Sequence, residues 1–122
     1  MSEKKFSKKH EWVSLDGDVA TVGITKHATE MLGDIVFVEL PGVNDDIKQD
    51  GTFGVIEAVK TVADLFAPVS GKVIEVNSEL EENPDLINSD PYGAGWIIKT
   101  QIENNDELNT LMSNNQYEDY VK

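Results

Sequence analysis

The chain has 122 residues, 39% of them hydrophobic, enough for one compact domain over 1–122 and too few for two. Its 10 basic and 23 acidic side chains give a formal net charge of -13, which repels nucleic acid and anionic lipid at long range. Cysteine is absent, which excludes disulfide scaffolding, a cysteine nucleophile, iron–sulfur ligation and thiolate zinc sites, so any redox sulfur must be imported.

No apolar run approaches the ~20 residues needed to cross a bilayer, and residues 1–5 lead into polar sequence without a signal-peptide core. The expectation is a cytoplasmic protein with no membrane or nucleic-acid partner. Residues 11–15 and 19–22 alternate as strands around Asp16-Gly17-Asp18, a strong hairpin signal. Residues 23–33 read as a short helix, with Thr25 as N-cap, Ala28, Met31 and Leu32 on one face, and Gly33 at the C-cap. Residues 34–40 return to β, and 41–46 are turn chemistry that ends the strand.

Residues 54–68 admit two readings. Val55, Val59, Val62 and Phe66 satisfy helical spacing, and the middle of the segment has no Gly, Pro, Asn or Asp. Crowding by β-branched residues, bracketed by Gly51 and Gly54 before and Pro68 and Gly71 after, favours two strands. With Lys60 and Thr61 as the bend, Val59 faces Val62 and Glu57 faces Asp64, a carboxylate pair that repels by up to ~1 kcal/mol across a ladder. Lys60 then stands on a hairpin tip. Position alone favours an ordinary surface lysine over a covalent handle.

Gly71 to Val76 echoes Gly33 to Val38, suggesting two related β units. Residues 78–95 read as loop, before Trp96, Ile98, Thr100 and Ile102 mark a last alternating strand. Asn104 with Glu107, and Ser113 with Gln116, each have capping-box spacing, opening short helices that present Leu108, Leu111, Met112 and then Tyr117, Tyr120, Val121. Strands without alternating long helices imply an antiparallel β sandwich, with a core over about 10–102 and a helical segment over about 105–121.

Six pieces, in order and spacing, carry a family resemblance: His10-Glu11-Trp12-Val13, Gly23-Ile24-Thr25, Leu32-Gly33-Asp34-Ile35-Val36-Phe37-Val38-Glu39-Leu40-Pro41, Gly54-Val55-Ile56-Glu57-Ala58-Val59-Lys60, Ala67-Pro68-Val69-Ser70-Gly71 and Asn88-Ser89-Asp90-Pro91-Tyr92-Gly93-Ala94-Gly95-Trp96. Together they resemble the H proteins of the glycine cleavage system, from about His10 to Lys99. The resemblance implies a mainly β barrel-sandwich hybrid, lipoyl/biotinyl-carrier-like, with a short N-terminal helix and C-terminal helices. It also implies lipoic acid in amide linkage to Lys60, on a monomeric carrier that catalyses nothing itself. Its partners would be a pyridoxal-phosphate (PLP) glycine decarboxylase (P protein), a tetrahydrofolate-dependent aminomethyltransferase (T protein) and dihydrolipoyl dehydrogenase (L protein). A lipoate ligase or lipoyltransferase would attach the arm.

Carried over position by position, Glu57 and Gly71 match the elements that the attaching enzyme recognises. Glu11, Asp64 and His10 match a cleft that shelters the loaded arm, where either carboxylate could pair with a protonated amine. Lysine suits the attachment point because acylation needs a nucleophilic amine on a long stem, which arginine does not supply. Two departures stand out. Asn44 occupies a turn position where relatives commonly have glycine, and asparagine tolerates a left-handed backbone there. Lys9 stands where relatives can carry serine.

Other readings fit less well. A biotin carrier usually flanks its lysine with methionines, whereas Val59 and Thr61 flank Lys60. A relay donating lipoate to 2-oxoacid dehydrogenase complexes, or an unmodified structural adaptor, would use the same fold. A triad built on Ser70 and His27 lacks the Gly-x-Ser-x-Gly elbow, and His10 and His27 lack metal-ligand spacing, so no metal is expected.

Overall fold

A computed structural model describes residues 4–122. In chain order the elements are β1 (Lys4–Phe6), β2 (Glu11–Asp16), β3 (Val19–Ile24), α1 (Lys26–Leu32), β4 (Ile35–Glu39), β5 (Asp46–Ile47), β6 (Thr52–Ala58) and β7 (Val62–Phe66). They continue with β8 (Gly71–Val76), α2 (Glu79–Glu82), α3 (Leu86–Ser89), β9 (Ile98–Ile102), a 3-10 helix η1 (Asn105–Thr110) and α4 (Asn114–Tyr120). Six strands form one sheet in the order β1-β2-β3-β9-β8-β5, and three form another, β4-β6-β7. Every strand pair is antiparallel. Inward residues of both sheets, among them Val13, Val22, Ile35, Ile56, Leu65 and Val73, make one apolar core. This is an open β sandwich, the mainly β architecture expected from the sequence.

Local chemistry explains the well-read elements. Gly17 adopts φ 66° in the β2–β3 turn, a left-handed conformation that favours glycine. The Thr25 hydroxyl accepts the Ala28 N–H, and the Gly33 N–H closes α1 on the Thr29 carbonyl. Asn44 takes φ 79°, so asparagine does supply the left-handed backbone at that turn. Ser113 and Gln116 form the expected capping box.

Distant motif pieces meet in space. Trp12 lies in register with Gly23, where a Cβ would approach the indole Nε1 to 2.7 Å, and its N–H donates to the Pro91 carbonyl at 3.0 Å. Asn88 accepts the Ile35 N–H at 2.9 Å and donates to the Gly33 carbonyl at 2.8 Å, fastening the joint between α1 and β4. A second apolar cluster of Phe6, Trp12 and Tyr117 holds α4 against β1 and β2.

Several expectations are corrected. The hairpin pairs Glu57 with Val62 and Val55 with Asp64, so the bend is Val59-Lys60 and Glu57 does not face Asp64. Moving the bend by one residue shifts the register by two, which keeps every side chain on its face and leaves the apolar alternation unchanged. Residues 78–95 contain α2 and α3, whose Leu80 and Ile87 are fully buried. Met31 is exposed instead of sharing the buried face of Ala28. Glu107 forms no capping box. Its carboxylate accepts from the Ser70 N–H and hydroxyl, both at 2.7 Å, while the Asn104 side chain accepts from the Asp106 N–H. The two echoing segments fall in different sheets, as β4 and β8. Residues 41–46 are not turn throughout, since Asp46 begins β5, and β1 carries no sequence signal.

Candidate functional site

The Lys60 tip is closed by the Ala58 N–H donating to the Thr61 carbonyl at 2.8 Å, which leaves a two-residue loop of Val59 and Lys60. The Val59 N–H donates to the Asp34 carbonyl at 2.9 Å, tying the tip to the entry of β4 as well as to its own strands. Lys60 is exposed and makes no ion pair among the described residues. Its primary amine is therefore open to acylation. Glu57 is exposed on the same hairpin, three residues before it.

Asp64 lies on β7, four residues beyond Lys60, or roughly 13 Å along an extended strand. There it joins Glu11, His10 and Lys9 around a cavity of about 110 Å³ whose remaining walls include Ile24, Ala28, Ile56 and Leu65. The structure thus brings Glu11, Asp64 and His10 together at one cleft. A larger depression of about 520 Å³ lies toward the other end of β4 and β6, lined by Glu39, Asp45 and Val55, away from the lysine.

Within the cleft Glu11 is only 3% exposed. The Ser7 hydroxyl donates to its Oε1 and in turn accepts the Glu11 N–H at 3.1 Å and the Lys9 N–H at 3.3 Å. Burial pushes the Glu11 carboxyl up to about 7, against the opposing pull of the Ser7 bond, the Phe66 backbone and the Lys9 charge, while Asp50 adds to the rise. The Lys9 ammonium sits 3.9 Å from the Phe66 ring centre, a cation–π contact.

His10 takes φ 73°, an uncommon conformation for a side chain of its size. Its Nδ1 lies 2.8 Å from the Tyr117 hydroxyl, which is also 2.7 Å from the Thr25 hydroxyl. Burial first and the neighbouring His27 second lower the His10 pKa, and burial raises that of Tyr117. His10 is thus both a wall of the cleft and the anchor of α4. Ser7 and Tyr117 had no sequence signal, since neither a Ser four residues before a Glu nor a tyrosine 107 residues from its histidine partner forms a recognisable motif.

Gly71 lies elsewhere, buried in β8 of the six-stranded sheet. A Cβ there would approach the Gln101 carbonyl oxygen to 2.1 Å. Close packing of β8 on β9 accounts for the absence of a side chain. Among the described residues no cluster of His, Asp and Glu could hold a metal ion.

A family model described as glycine cleavage H-protein matches residues 4–122. A glycine cleavage system H protein of Carboxydothermus hydrogenoformans is 55% identical over 114 residues, covering 93% of this chain and 88% of that protein. The one from Symbiobacterium thermophilum is 51% identical over 121 residues, covering 99% and 94%. The crystal structure of a glycine cleavage system H protein from Mycobacterium marinum superposes with a TM-score of 0.87 at 35% identity, covering 99% of this chain and 98% of that one.

Proposed function

Because the chain belongs to the glycine cleavage H-protein family, we propose that it is the lipoyl carrier of the glycine cleavage system, acylated on Lys60. The observation that carries this is a lysine amine with no ion pair among the described residues, on a tip held by two strands and tied to the entry of a third, with a cleft shared by Asp64 of the adjoining strand and Glu11. When bound, the lipoyl group would supply a redox-active disulfide, both the electron acceptor and the sulfur attachment point for the aminomethyl group left when glycine loses carbon dioxide. Its partner enzymes would be the PLP-dependent decarboxylase, the tetrahydrofolate-dependent aminomethyltransferase, which takes the one-carbon unit as ammonia leaves, and dihydrolipoyl dehydrogenase. The protein's own residues do no bond-making. Lys60 provides the anchor and its stem the reach, while Asp64, and Glu11 once ionised above about pH 7, supply carboxylates for a cationic amine brought into the cleft. The apolar walls exclude water, and His10 shapes the rim.

Glu57 contacts the lipoate ligase or lipoyltransferase that attaches the group. Gly71 supports that recognition through the fold, by letting β8 and β9 pack closely. The protein works as a cytoplasmic, monomeric single domain, and no helix among the described residues is long and apolar enough to cross a membrane. Intact-mass analysis of protein made in cells supplied with lipoate should show a lipoyl increment that disappears in Lys60→Arg. A Lys60→Arg protein that keeps the increment, or still sustains glycine decarboxylation in a reconstituted system, would overturn the assignment.

A further inference from the structure

The β4–β6–β7 sheet turns an unusual strip of side chains to solvent. Phe37 pairs with Glu57, and Glu57 pairs with Val62, so the three stand in one row across the three strands and share a face. Phe37 is 49% exposed and Val62 62%, and Val59 at the tip is 69% exposed. Scattered exposed apolar residues are ordinary on any surface. Here, however, an acid is flanked in register by two of them, on the hairpin whose tip carries the lysine proposed for acylation. The next row, Glu39–Val55–Asp64, adds two more carboxylates. None of the three strands carries a lysine or arginine.

We infer that the Phe37–Glu57–Val62 row is the docking strip for the enzyme that acylates Lys60, an inference that rests on Lys60 being the acylated residue. Reach selects this occupant. The ε-amine ends a stem of roughly 6 Å, so the acylating enzyme must press against the residues around the tip, whereas enzymes that act at the far end of the arm need not. The strip also fixes the chemistry of the matching surface: two apolar contacts spaced across a sheet, with a basic side chain between them to meet Glu57 and further basic groups opposite Glu39 and Asp64. Glu57 gives charge selection, and Phe37 and Val62 give the buried area that holds the complex.

The test uses the full chain with a lipoate ligase, ATP and lipoate, following acylation by intact mass. Phe37→Thr and Val62→Thr keep β propensity and remove apolar contact. Each should raise the KM for the protein substrate roughly three- to tenfold with kcat within about twofold, the size expected for losing one partly buried apolar contact. Val62→Ile should retain wild-type KM, as should Ile74→Thr, an exposed apolar position on the six-stranded sheet. Unchanged KM in both threonine variants overturns the docking strip, as does an equal loss in Ile74→Thr. A defect confined to the decarboxylase, with acylation intact, overturns it as well. Wild-type protein that is not acylated at Lys60 at all instead overturns the carrier assignment beneath it.

Discussion

Glu11 is a carboxyl group placed where its ordinary ionisation is opposed by its surroundings. With a folded-state pKa of about 7 against an ordinary 4.5, the native chain keeps a proton that the unfolded chain releases across that interval. The associated stability is fully present below pH 4.5 and is lost as pH rises through 7, on the order of 3 kcal/mol in all. Glu11→Gln keeps an acceptor for Ser7 but cannot ionise, so the wild-type melting temperature should fall relative to the variant between about pH 5 and pH 8. Parallel pH profiles would refute this. Tyr117 makes a second residue-scale case, because Tyr117→Phe keeps the stack on Phe6 and removes the hydroxyl shared by His10 and Thr25. It should lower stability by about 1–2 kcal/mol in urea unfolding, with the loss assigned to the two hydrogen bonds that His10 and Thr25 share with the hydroxyl. The sequence displayed the cleft's acids through family motifs. It could not display Ser7 as the partner of Glu11 or Tyr117 as the partner of His10, because neither pairing forms a recognisable motif.

At the scale of elements, Gly71 and Glu57 should behave oppositely. Gly71→Ala forces a Cβ into the Gln101 backbone and should cost about 1–3 kcal/mol by opening β8 from β9, with any fall in acylation following the fall in melting temperature. Glu57→Ala, on an exposed strand face, should reduce the acylation rate and leave melting nearly unchanged. A Gly71→Ala protein of wild-type stability that resists acylation would make this glycine a direct contact instead. The elements legible in the sequence were those with their own local chemistry: the Asp-Gly hairpin, the Thr25 cap and the Ser113 capping box. The missed ones were too short for a pattern. The two-residue β5 and the three-residue β1 exist because β8 and β2 lie alongside to pair with them, and the four-residue α2 and α3 are held by burying Leu80 and Ile87. The β6–β7 register was hidden for a different reason, since a two-residue slip satisfies the same apolar face.

For the whole molecule, charge and core do separate work. Three ion pairs of 3.8–3.9 Å among the described residues, all partly or well exposed, add little to stability. The core shared by the two sheets carries it, which leaves a net charge of -13 available for recognition. Raising the ionic strength from about 10 mM to about 150 mM shortens the Debye length from ~30 to ~8 Å, so association with basic partner surfaces should slow severalfold while dissociation changes little. A stopped-flow association rate independent of salt would show that steering plays no part. The bond from the Val59 N–H to the Asp34 carbonyl has a last consequence at this scale. With its root fastened to three strands, the arm proposed on Lys60 would move through its own side-chain torsions, and its reactive end would be confined to a small volume around a fixed pivot. An enzyme docked on the proposed carrier would meet that end at an effective concentration of millimolar order or higher, however dilute the protein. Docking itself can then be weak, and a carrier held weakly is free to leave for its next partner.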